Sequence, residues 1–149
     1  MQLEALETIA PALAARIAGA EPHLARRFAL GTARLACSVA EVRDRVALEV
    51  AQSGLERHTE VDELVRLWEL ERALDTVCEE RAGRSRRATV VTDFVASYLH
   101  RECAEGHAIS AVIASLKPDP RIAAREAAYE ARAAGCQDVE IERLADQLL

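Results

Sequence analysis

Apolar residues recur every three or four positions along nearly the whole chain. Leu3, Leu6, Ile9, Leu13 and Ile17 make the first stripe, the spacing of one face of an α-helix. Pro11 interrupts it. Either Thr8 caps a helix that holds Pro11 in its first turn, or the helix kinks there. Gly19 closes the segment, and Pro22 opens a second that runs to about Cys37 with Leu24, Phe28 and Leu35 inward. Ser38 and Glu41 have the form of a capping box for a helix carrying Val39, Val42, Val46 and Val50 and stopping at Gly54. Thr59 with Asp62 is a weaker start signal. The longest predicted helix follows, with Val61, Leu64, Val65, Leu67, Trp68, Leu70, Leu74, Val77 and Cys78 apolar, and ends at Gly83. A fifth helix holds Val90, Val91, Phe94, Val95, Tyr98 and Leu99 and reaches about Gly106. A short sixth spans His107 to Leu116, Asp119-Pro120 opens a seventh ending at Gly135, and Asp138 caps the last.

The pattern predicts one all-α domain over residues 1–149, a bundle or short α-solenoid of seven to eight helices with short loops. Residues 89–92 are β-prone, but a lone strand makes no sheet. Segment 21–36 echoes segment 119–134. Seven of sixteen positions are identical: Pro22/Pro120, four alanines, Arg27/Arg125 and Arg34/Arg132. An acid-Pro start followed by an Ala/Arg helix resembles one unit of a HEAT-type helical repeat. Two copies 98 residues apart are not the tandem array a solenoid requires.

Composition narrows the class. Half the residues are hydrophobic and 30% are charged, as in a globular protein. Alanine fills 30 of the 149 positions, 18 of the 19 basic residues are arginine, and asparagine is absent. That bias fits a GC-rich bacterial genome and excludes N-glycosylation sequons. No apolar run approaches a membrane span. Glu4 and Glu7 stand where a signal peptide carries positive charge. The scattered cysteines Cys37, Cys78, Cys103 and Cys136 form no C-x-x-C pair. They read as reduced, mostly buried thiols of a cytoplasmic protein.

The net charge of −6 falls on residues 39–83, and the pI near 5.3 argues against general nucleic-acid binding. One basic cluster runs the other way. Arg81, Arg84, Arg86 and Arg87 bracket Gly83 and Ser85 in an expected loop ahead of the fifth helix. Positive charge before a helix start opposes the macrodipole, so an anion or acidic partner among these side chains is one reading. Pairing with Glu79 and Glu80 is the other. An accessory phosphate or nucleic-acid binder would rest on this cluster alone.

One constellation has metal-like spacing: His100-x-x-Cys103-x-x-x-His107. On a continuous helix all three share one side, and two imidazoles with a thiolate suit zinc with a fourth position open. The stretch resembles the C-x-x-C-x-x-x-H redox motif of the helical AhpD-type peroxidase family, with His100 at the place of its first cysteine and its dithiol therefore missing. A small metal- or thiol-dependent enzyme is thus the alternative reading. There is no H-E-x-x-H, no Walker A loop and no GxGxxG. The leading expectation is non-enzymatic and without a cofactor: an accessory scaffold or adaptor that docks another protein chain, like or unlike, through helix faces. The longest helix is the favoured surface because it is apolar on more than one face. Trp68 is expected in the core.

Overall fold

The computed structural model describes the backbone of residues 2–54, 59–87 and 93–149, and the side chains of these except 2–5, 81–87 and 93–102. Eight helices are present among the described residues, with no strand: α1 (Gln2–Ile9), α2 (Pro11–Ala18), α3 (Pro22–Val39), α4 (Arg45–Ser53), α5 (Val61–Arg87), α6 (Asp93–Ser115), α7 (Pro120–Ala133) and α8 (Asp138–Leu148). The fold is all-α, as the periodicity predicts.

Pro11 splits the first stripe into two helices, with Ala10 as N-cap of α2 and Pro11 in its first turn. The Pro ring there removes an N–H that has no intrahelical partner anyway. The single stripe still buries as one, through Leu6, Leu13 and Ile17.

Ser38 and Glu41 do not start a helix. Glu41 takes a left-handed φ of 54° and terminates α3. The Val42 N–H bonds the Cys37 carbonyl at 2.9 Å and the Glu41 N–H bonds that of Ser38 at 3.3 Å, the two bonds of a Schellman C-cap. Val42 is buried beneath the turn. The cap of α4 is Asp44, whose carboxylate accepts the Ala47 N–H at 3.0 Å. The same C-cap closes α7: Cys136 N–H to Ala131 and Gly135 N–H to Arg132, both 3.0 Å, with Gly135 at φ 107°.

α3 and α7 are thus built alike and form the centre of the bundle. They run parallel. At their starts, Arg121 of α7 gives two hydrogen bonds to the Ala20 carbonyl, at 3.0 and 2.9 Å, just ahead of α3. Arg26 of α3 donates to the carbonyls of Ser115, Lys117 and Pro118, just ahead of α7. Each arginine satisfies backbone carbonyls in the joint before the other helix, and Arg26 also takes that of Ser115, which the end of α6 leaves without an intrahelical partner. At the far ends Gly135 meets Val39. The four alanines that the two segments share, Ala25, Ala29, Ala33 and Ala36 with Ala123, Ala127, Ala131 and Ala134, are all buried. The internal echo is therefore a packing face, where small side chains let two helices approach closely. Thr32 and Ser115, fully buried in the same core, return their hydroxyls to the Phe28 and Val112 carbonyls at 2.6 Å.

Around this pair, α6 packs on both α3 and α7, α1 and α2 lie on α7, and α8 lies on α3. α5 is peripheral and rests mainly on α6 with some contact to α4. Its Leu67 is fully buried, and Leu70 and Leu74 pack on the core. Among the described residues no helix is long and apolar enough to cross a membrane.

Candidate functional site

Two predicted boundaries fail together, and the failure builds the site. α5 continues through Gly83 to Arg87, and α6 is one helix through Gly106. Gly106 does not end a helix; it is buried against α5, where a Cβ would lie 3.5 Å from Leu74 Cβ and 3.6 Å from Asp75 Oδ1. Its missing side chain lets the two helices close up. One turn before it, Cys103 is joined by a disulfide to Cys78, with Cα atoms 5.4 Å apart. One turn after it, the Ser110 hydroxyl donates to the Glu71 carboxylate at 2.6 Å. Disulfide, glycine contact and hydrogen bond are successive rungs of an antiparallel helix pair.

The expectation of four reduced thiols is corrected accordingly. Only Cys37 and Cys136 are free, and both are buried. Burial pushes their thiols up to about 12 and about 11, since a low-dielectric surrounding disfavours the thiolate. Cys78 and Cys103 are half-buried.

Beside the rungs lies a polar cleft between α5, α6 and α7, lined by Glu71, Asp75, His107, Ser110, Glu126 and Glu130 among others. His107 Nδ1 donates to Glu130 Oε2 at 2.7 Å, and Glu130 is buried. That hydrogen bond holds the imidazolium above its usual range, against the desolvation that opposes it, with the charges of Glu130, Asp75 and Glu71 adding to the same side. Lys117 pairs with the largely buried Glu126.

The predicted metal triad does not survive this geometry. Cys103 has its sulfur in the disulfide, His107 faces Glu130, and the His100 side chain lies outside the described residues. No group of three metal-ligating side chains occurs among the described residues. The arginine cluster is also relocated. Arg81, Arg84, Arg86 and Arg87 belong to the last turns of α5, not to a loop, and their side chains lie outside the described residues. A helix C-terminus favours positive charge, which removes the electrostatic misfit that suggested an anion there.

The second candidate surface is the outer face of α5. Val61, Val65 and Trp68 are 70%, 45% and 62% exposed, at the i, i+4, i+7 spacing of one helical stripe. Trp68 therefore lies outside the core, contrary to expectation. Beyond it Arg72 and Asp75 continue the same groove. Glu71, Asp75, Glu126 and Glu130 escaped the sequence reading, and Cys78 was read as a reduced thiol, because these residues come together only when α5, α6 and α7 dock. The one local signal was Cys78 on a stripe otherwise read as apolar. No family model, curated protein or solved structure matches this chain.

Proposed function

We propose that this protein is an interaction module whose outer α5 face seats a positively charged amphipathic helix of another protein. The observation that carries the reading is the exposed stripe of Val61, Val65 and Trp68. Three large apolar side chains in a row on one solvent-facing helix are the anchors of helix-in-groove recognition, and an exposed Trp is the residue type that dominates such interfaces. Charge selects the partner. Residues 61–80 carry seven carboxylates against two arginines, and one of those arginines, Arg66, is engaged with Asp44 at 3.1 Å. Acidic flanks around an apolar stripe steer a basic segment and repel an acidic one.

Trp68 is the only tryptophan in the chain, so it reports directly on its own surface. An 18-residue Lys/Leu amphipathic peptide titrated into the protein should shift Trp68 emission to the blue, and the shift should weaken with salt. A Glu/Leu peptide of the same length should leave it unchanged. No shift with the basic peptide, or equal shifts with both, overturns the reading. So does a chain already dimeric at micromolar concentration with Trp68 emission blue-shifted, which would assign the face to a second copy.

A further inference from the structure

The attachment of α5 to the bundle is uneven along its length. Leu67 is fully buried, and Leu70 and Leu74 pack on the core. Glu71 accepts the Ser110 hydroxyl, and Leu74 lies against Gly106. Past Leu74 the cover thins. Asp75, Thr76, Glu79 and Glu80 are exposed, and only Val77 and Cys78 are half-buried among residues 75–80. Cys78 is bonded to Cys103, so among the described side chains the disulfide is the last tie holding the C-terminal turns of α5. α6 divides at the same level. From Ala104 onward it runs through the core, with Ala104, Ala108, Ile109 and Val112 buried. Beyond the bond the backbone stays helical on both sides, α5 to Arg87 and α6 from Asp93. The α5 turns there include Gly83 and Ser85, weak helix formers, and a helical stretch this short has little stability without tertiary support. The bond closes a ring over a sequence separation of 25, and opening it returns the chain entropy that closure removed.

We propose that the Cys78–Cys103 disulfide is a redox lock on the far end of the α5–α6 pair. A dithiol reductant opens it, and residues 79–87 and 93–102 then leave the helical pairing while the rest of the bundle keeps its structure. The freed part of α5 carries Arg81, Arg84, Arg86 and Arg87. One thiolate of the donor bonds to either sulfur of the pair. The S–S bond breaks, and its electron pair leaves on the other sulfur as a thiolate. The second donor thiolate attacks the donor sulfur of the mixed disulfide and expels the remaining cysteine as a thiolate. The donor becomes a disulfide, two electrons pass to the protein, and the two protons lost by the donor end on Cys78 and Cys103. Both bonded cysteines are half-buried, whereas Cys37 and Cys136 are buried, so the redox change is confined to one pair. Val61, Val65 and Trp68 lie on the earlier, core-anchored part of α5, so the lock does not rest on the docking role of that face.

The test is amide hydrogen exchange of the full chain with and without dithiothreitol, with alkylation under native conditions and mass analysis to identify the thiols released. Cys78 and Cys103 alone should be alkylated. Exchange in residues 79–87 and 93–102 should quicken about tenfold or more on reduction, while peptides from α3 and α7 stay unchanged. Unchanged exchange at the far end of the reduced protein overturns the proposal, because the helices then hold without the bond. Faster exchange throughout α3 and α7 also overturns it and makes the disulfide a staple of the whole fold. So does a bond that opens only in denaturant. The double variant Cys78→Ser, Cys103→Ser should exchange like reduced wild type without any reductant. A variant that exchanges like the oxidised protein counts against the lock, since the change would then belong to the reductant.

Discussion

His107 of α6 and the buried Glu130 of α7 are joined side chain to side chain, with Nδ1 and Oε2 2.7 Å apart. The pair has a pH signature with a definite sign. The folded-state pKa of His107 is raised above the ordinary 6.5 by the Glu130 hydrogen bond. Its contribution to stability is therefore complete below about 6.5 and is lost as pH rises through the raised folded value. In wild type the His107 ring proton should titrate above the usual histidine range in an NMR pH series. Glu130→Gln should bring the midpoint down and flatten the fall in stability with rising pH. An unchanged midpoint in that variant would refute the assignment of the shift to Glu130.

The four cysteines should divide into two classes by reactivity. With their thiols pushed up to about 12 and about 11, Cys37 and Cys136 carry almost no thiolate at pH 8. A disulfide-forming reagent should leave both untouched in the native protein and modify both in denaturant. After gentle reduction, Cys78 and Cys103 should react first. Modification of Cys37 in the folded, unreduced protein would contradict its burial.

The alanine face between α3 and α7 should resist enlargement. Ala127 is fully buried on it, so Ala127→Leu should cost about 1–3 kcal/mol or more through overpacking. Ala73 on the solvent side of α5 is exposed, and Ala73→Leu should stay within about 0.5 kcal/mol of wild type. Urea denaturation of the two variants makes the comparison, and equal effects would mean that the helices are not in close contact at Ala127.

Glycine substitution separates two helix ends. Gly135 closes α7 at φ 107°, a conformation that costs an L-residue about 1–2 kcal/mol, so Gly135→Ala should destabilise by about that amount. Gly19 closes α2 at φ −89° and ψ −3° with no atom closer than 3.7 Å to an added Cβ. Gly19→Ala should be neutral or stabilise by up to about 1 kcal/mol. Melting curves of both variants read the difference directly.

Much of the fold is legible along the chain. The starts at Pro22 and at Asp119-Pro120 are written locally, because proline fixes a helical φ and the Asp119 carboxylate accepts the Arg121 and Ile122 N–H groups at 2.9 and 3.2 Å. The breaks expected at Gly83 and Gly106 are absent for the opposite reason. A glycine within a helix costs only about 1 kcal/mol, and the packing of Gly106 against Leu74 and Asp75 is a contact between distant segments. Ser38 and Glu41 show a local signal overruled, since the turn that buries Val42 demands a left-handed residue where a capping box needs a helical one.

The sequence by itself determined the helical class, one internal echo and the acidic character of residues 39–83, because periodicity and charge are properties of neighbours in the chain. Only the tertiary structure decided what those features are for. It turned the shared alanines into the α3–α7 interface and placed Trp68 outside while Leu67 went inside. It joined Cys103 to Cys78 and not to a metal with His100 and His107. A helix with apolar residues on two faces does not state which face will be covered. That is settled by what the rest of the chain brings against it, and here α6 covers one side of α5 and leaves the stripe at Val61, Val65 and Trp68 to solvent.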